Sequence, residues 1–299
     1  RRVWANKSLE AGITKFMSAA PATAFNCQAP LNTAVSNEIT QRCGKSKVHT
    51  EELVDKIVEV VEQEEIKFKA RPLPEQAQTF QALNTFYELN SNQEVPNDWH
   101  NSVIYAAGRS VDFTRYNFYW TPEIEHKLNY RVIVPFIYKN EIVGYTARAV
   151  NDGIQPKYHS NHPADFVFNL DKQKADSKFV IVCEGPFDAM SIDGVSTQTN
   201  QISEQQAELI EQLGKTVIYV PDFDKHINKQ GRETWPGWEG IEQAVEYGWS
   251  VSFPVWRETC KDINSAVQHY GKLFVLKSIL DARESSRLKI ELMRKRLHN

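Results

Sequence analysis

The stretch that decides the fold is FVIVCEGPFDAMS, Phe179 to Ser191. Its apolar, β-rich opening, FVIVCEG, reads as a strand that ends at Glu184-Gly185. Gly185 allows a sharp turn out of that strand, and Pro186 suits the first turn of a following helix, where a missing N–H costs nothing. Downstream the alternation repeats. SEQQAELIEQLG from Ser203 reads as a helix, TVIYVPD from Thr216 as a strand, GWEGIEQAVEYG from Gly237 as a helix and SVSFPV from Ser250 as a strand. Ser203 and Gln206 have the spacing of a capping box, and Gly214 and Gly248 stand where helices should end. Strands alternating with helices predict an α/β fold, a parallel sheet with helices on its faces.

Upstream the texture differs. RVIVPFIY from Arg131 and EIVGYTARAV from Glu141 are two β-rich runs joined by Lys139-Asn140, which reads as a hairpin. Before them lie three helical patterns. The first is N-capped by Thr50 and carries Leu53, Val54, Ile57, Val58 and Val61; the second follows Pro72 and Pro74 with Phe80, Leu83 and Tyr87. The third runs from near Asp98 to Gly108, a residue suited to the left-handed conformation that closes helices. From about Lys272 a single long helical pattern carries Arg287, Lys289, Arg294, Lys295 and Arg296 near its end. The expected organisation is a lead-in with one amphipathic helix over 1–75, a smaller α+β subdomain over 76–177, the α/β domain over 178–270 and a basic helix over 271–299.

With 299 residues, 41% of them hydrophobic, the chain can bury a sizeable core. Its net charge of -3 creates no global basic field, so any contact with nucleic acid must come from local patches. Cys27, Cys43, Cys183 and Cys260 form no C-x-x-C pair, which predicts a reducing, cytoplasmic setting and no zinc site by spacing. No apolar run approaches the roughly 18 residues of a membrane helix. Arg1 in place of an initiator methionine suggests a fragment. QRCGKS, ending Gly44-Lys45-Ser46, falls short of a phosphate-binding loop because Ile39 stands where its first glycine belongs. Tyr116, Tyr119 and Trp120 beside Arg115 read as core aromatics rather than a stacking platform.

Three acidic motifs each fall at the C-terminal end of a predicted strand: Glu184 and Asp188 in CEGPFDAMS, Asp222 and Asp224 in VPDFD, and Asp262 in CKDINSAV. The carboxyl ends of parallel strands line the crevice where α/β sheets bind ligands, so these side chains are expected to converge. Two carboxylates about 4 Å apart repel by roughly 4 kcal/mol at an effective dielectric near 20. A divalent cation offsets that repulsion. All-oxygen ligands favour Mg2+ or Mn2+, and such sites bridge carboxylates to phosphates, the chemistry of phosphoryl or nucleotidyl transfer.

The set E-G-x-x-D-A, D-x-D and K-D-x-N, in that order, resembles the Toprim domain shared by bacterial-type primases, topoisomerases and some nucleases. The resemblance implies Glu184 as acid or base, Asp222 and Asp224 as metal ligands, and Asp188 and Asp262 as completing the acidic site. In that family a glycine soon follows D-x-D and opens a helix; here KHINKQGRETWP intervenes, and Gly237 or Gly240 must serve. RVIVPFIYKNEIVGYTARAV, followed by QPKYHS and FVFNLD, is similar to the stretch preceding the Toprim domain in bacterial and phage primases, so the likeness spans Arg131 to Tyr270. The closing run from Lys277, KSILDARESSRLKIELMRKRLHN, is also similar to phage primases.

What this implies is a DNA primase core that makes short RNA primers on single-stranded DNA from ribonucleoside triphosphates, with Mg2+ or Mn2+ and a replicative helicase as partner. Arg148, Lys157 and Tyr158 would then bind nucleotide or template. Cys27, Cys43 and His49 lack the spacing of the zinc ribbon such primases carry. The rival readings are a Toprim nuclease and a non-catalytic replisome DNA-binding module; the chain is too short for a type IA topoisomerase.

Overall fold

A computed structural model describes residues 67–123, 127–223, 226–227, 233–235 and 237–298. The helix expected from Thr50, the Gly44-Lys45-Ser46 loop, Cys27, Cys43, His49 and Asp224 lie outside these residues. Phe68–Asn299 form one compact unit built on two five-stranded sheets.

The first sheet is antiparallel, with strands in sequential order. Its opening strand, β1 (Gln78–Thr79), leads into α1 (Phe80–Leu89), where the Thr79 side chain accepts from Ala82 N at 3.1 Å and caps the helix. α2 (Asn97–Gly108) follows, and then β2 (Tyr119–Trp120). Gly108 is helical; the left-handed residue after α2 is Ser110, at φ 54°. β3 (Arg131–Tyr138) and β4 (Glu141–Ala149) form the expected hairpin, with Lys139 and Asn140 both at positive φ, 49° and 66°, as a two-residue turn requires. β5 (Tyr158–Asn161) closes the sheet and pairs Tyr158 with Arg148. Tyr116 and Trp120 are buried in the core, as expected.

The second sheet begins with β6 (Phe179–Cys183), followed by α3 (Pro186–Ile192), β7 (Val195–Ser196), α4 (Glu204–Glu211) and β8 (Thr216–Tyr219). Pro186 occupies the first turn of α3, and the capping box of Ser203 and Gln206 is formed, with bonds of 3.1 Å in both directions. A small hairpin, β9 (His226–Ile227) and β10 (Glu233–Thr234), precedes α5 (Gly237–Glu246) and β11 (Ser250–Ser252). α6 (Ile263–Tyr270) and α7 (Lys272–Asp281) come next. The order is β12-β11-β8-β6-β7, with β11, β8, β6 and β7 parallel. α3 packs on α6 and α7, while α5 packs on β8 and β11.

The C-terminal stretch departs from the single helix its periodicity predicts. After α7 the chain forms β12 (Arg283–Glu284), antiparallel to β11, and then α8 (Arg287–His298). The Glu284 carboxylate accepts from Ser285 N and Ser286 N, at 3.0 and 2.8 Å, and turns the chain. Arg294 is not part of an exposed basic face. It is 6% exposed, donates to Glu242 and Glu291 at 2.7 and 2.9 Å, and lies 3.5 Å over the Trp238 ring. No described helix is long and apolar enough to cross a membrane.

Candidate active site

The parallel order of β6 and β8 brings Glu184 and Asp222 together. Val182 is paired with Tyr219, Val220 N donates to Val182 O at 2.9 Å, and Asp222 N reaches the Glu184 carboxylate at 3.5 Å. The next loop is tied in by Phe223 N, which donates to Lys261 O at 2.7 Å and holds Asp222 beside the turn that carries Asp262. Trp235 Nε1 donates to Asp222 O at 2.6 Å, and its ring stacks on Phe223. Asp262 caps α6, its carboxylate accepting from Ser265 N at 2.6 Å.

Asp188 projects from the first turn of α3 and is 6% exposed. It accepts from Asn264 N at 2.7 Å. Gly185 has ordinary extended backbone, φ -97°, so its absent side chain serves a close approach rather than a sharp turn: a Cβ there would stand 2.4 Å from Asp188 Oδ2. The question of which glycine follows D-x-D has two answers. A Cβ at Gly237 would meet Asp222 O at 3.0 Å, and one at Gly240 would meet the Tyr219 hydroxyl at 2.1 Å, so both let α5 lie against β8.

Charge and burial agree that these carboxylates share one locale. Burial raises the Glu184 pKa to about 7, opposed by the Asp222 N–H bond. Burial, then the negative charges of Asp262 and Glu184, push Asp188 up to about 8 against the pull of Asn264 N and Arg109. The Cys183 thiol, at the end of β6, is pushed well above its usual value by burial and then by Asp188, Asp222, Glu184 and Asp262 together. One thiol feels all four.

Beside Tyr105 and Tyr158 is a cationic group. Arg148, 7% exposed, donates through Nε to the Tyr105 hydroxyl at 2.9 Å and stacks 4.7 Å from the Tyr158 ring. Its Nη1 is buried with no acceptor among the described residues, an unsatisfied donor. Tyr158 is 38% exposed, yet burial of its hydroxyl raises its pKa to about 12, opposed by Arg148 and reinforced by Asp188. Lys157 is exposed beside Tyr158, its Nζ 6.0 Å from that ring.

Two residues join the site that sequence reasoning passed over. Asn264, the last residue of K-D-x-N, donates through Nδ2 to Ser191 Oγ at 2.6 Å and Arg109 O at 2.7 Å, and its Oδ1 accepts from Arg109 Nη1 at 3.0 Å. Arg109 lies over the Tyr105 and Phe187 rings, 4.6 and 5.5 Å from their centroids. The motif spacing marked Asn264; a single arginine after a helix carried no signal.

The donor chemistry fits a hard divalent cation: several carboxylates, Glu184 raised by burial and Asp188 by burial and neighbouring negative charge, with no thiolate or imidazole described beside them. Among the described residues no three such groups close on a common point, and Asp224 lies outside them.

The fold has solved counterparts. The chain is similar to the RNA polymerase domain of Mycobacterium tuberculosis primase DnaG, with a TM-score of 0.50 and 16% identity over 69% of this chain and 82% of that one. It is also similar to the zinc-binding and RNA polymerase domains of the Aquifex aeolicus primase, with a TM-score of 0.49 and 14% identity over 83% of this chain and 70% of that one. No family model and no curated protein matches the chain. The chain therefore has the mixed α/β fold of a bacterial-type primase catalytic core.

Proposed function

We propose that this chain is a DNA primase catalytic core of the bacterial and phage type, joining ribonucleoside triphosphates into short RNA on a single-stranded DNA template. The observation that carries this reading is the approach of Asp222 to Glu184 across the ends of β6 and β8, with Asp188 tied to Asn264 and Phe223 to Lys261, on either side of Asp262. In this division of labour residues 178–270 form the Toprim domain that binds metal, 76–177 the template-facing subdomain, 271–299 a closing C-terminal segment, and 1–75 a lead-in.

Glu184, Asp222 and Asp224 would hold Mg2+ or Mn2+, with Asp188 and Asp262 supporting them directly or through water. When bound, the cation supplies charge neutralisation at the reacting phosphate and a lowered pKa for the attacking hydroxyl. Glu184, at the end of β6 beside Asp222 N, is placed to take the proton of a primer 3′-hydroxyl as it attacks the α-phosphate of the next nucleotide. Lys157, exposed beside Tyr158, would bring a point charge to a phosphate, and Arg148 would bind one through Nη1, the donor left without an acceptor, once the site opens to it. Tyr158 offers a ring face for a base, its opposite face held by Arg148. Pyrophosphate leaves, and a replicative helicase would deliver the template.

The test is primer synthesis on mixed-sequence single-stranded DNA with labelled ribonucleotides and Mg2+ or Mn2+, comparing the protein with a Glu184→Gln, Asp222→Asn variant. Short RNA made by the protein and reduced at least 100-fold in the variant is the expected result. Metal-dependent loss of the DNA without RNA would replace this reading with a Toprim nuclease; DNA binding without either would replace it with a replisome binding module.

A further inference from the structure

Arg131 opens β3 and is 0% exposed. A guanidinium so far from water ordinarily has a carboxylate beside it. Among the described residues Arg131 pairs with none. Instead Nε donates to Lys127 O at 2.8 Å, Nη1 to Ala147 O at 3.1 Å and Lys157 O at 3.4 Å, and Nη2 to Pro156 O at 2.7 Å. Four bonds from one planar group thus reach three separate segments of chain. Burial, and then the nearby Arg148, lower its pKa, so the arrangement holds its charge at a cost.

The segment it grips is the one that precedes Tyr158. Lys157 O also accepts from Ala149 N at 3.0 Å, and Arg148 is the register partner of Tyr158. The Lys157 side chain is exposed, yet its carbonyl and that of Pro156 are fixed from beneath. Only a rigid fork with five donors reaches carbonyls in these divergent directions; an ammonium on a flexible stem cannot replace it.

We infer that Arg131 is a positioning residue, a buried clamp on the Pro156–Lys157 backbone that sets Lys157 and Tyr158 toward the acidic site. The inference rests on the primase reading for its functional consequence but not for its structural one. Both are tested with Arg131→Lys, which keeps the charge and removes the fork, and with Arg131→Met, which fills the volume without a charge and carries the test if the lysine variant fails to fold.

Amide hydrogen exchange is measured first. We expect exchange at residues 154–158 to quicken at least tenfold while the β3–β4 ladder amides stay within twofold. Equal quickening of both would mean a merely global stabilising role and overturn the inference, as would no change at 154–158. In the synthesis assay, KM for template rises at least fivefold with kcat within twofold, and adding Lys157→Ala to Arg131→Lys brings little further loss. Fully additive losses would overturn the inference. If the unaltered protein makes no RNA, the primase reading fails alone, and the exchange measurement still decides the clamp.

Discussion

Asn264 uses every hydrogen-bonding group its side chain has: both amide hydrogens donate, to Arg109 O and Ser191 Oγ, and its oxygen accepts from Arg109 and Gln268. Its backbone N–H meanwhile restrains Asp188. Truncation leaves several buried partners unsatisfied, so Asn264→Ala should cost about 3 kcal/mol of unfolding free energy, read by urea titration. Gly185→Ala should keep the fold and lose most activity, because the new methyl must displace the Asp188 carboxylate; a synthesis assay beside a circular dichroism melt separates the two effects. At this scale the sequence was legible where a residue type is expensive to place without purpose. Glu184, Asp188, Asp222 and Asp262 announced themselves as acids near strand ends, and the pairing of β6 with β8 sets Asp222 N against the Glu184 carboxylate. Arg109 and Arg131 did not, because a lone arginine in sequence has the look of a solvated charge, and only tertiary packing reveals that it is buried or bridging.

The elements were legible where periodicity and punctuation agree. The hairpin at Lys139-Asn140, the capping box at Ser203 and the alternating β6-to-β11 segment combine pattern with turn chemistry, and all form as expected. The C-terminal stretch misled because helical periodicity runs through Ala282 and Arg283, while the two-residue β12 exists only by virtue of the β11 edge it pairs with. α8 then docks through the buried side chains of Ile290 and Arg294. Arg294→Ala should remove its bonds to Glu242 and Glu291 and its stacking on Trp238, costing about 2 kcal/mol. Hydrogen exchange should locate that loss in α8 rather than in the sheet.

For the molecule as a whole, the buried acids make stability depend on pH. Glu184 and Asp188 keep their protons in the folded chain up to about 7 and about 8, whereas the unfolded chain gives them up in the ordinary carboxylate range. Below that range both states are protonated and these groups contribute no difference. Through the interval the folded state binds more protons, so stability falls as pH rises, and the full cost stands above both folded values. The melting temperature should therefore decline from pH 5 to pH 8.5, Asp188→Asn should flatten that decline, and added Mg2+ should raise the midpoint more at pH 8 than at pH 5.5. The pinned ends of the segment after Asp222 have a different consequence. Phe223 is anchored to Lys261, and Trp235 to the Asp222 carbonyl and the Phe223 ring, so the chain between them leaves and returns at one place. Lengthening a loop already closed at its base adds only about 0.6 kcal/mol per doubling. This makes the part of the segment beyond β9 a natural port for engineering, where a reporter peptide or a small inserted domain could be spliced in at a distance in sequence from Asp222 and Asp224.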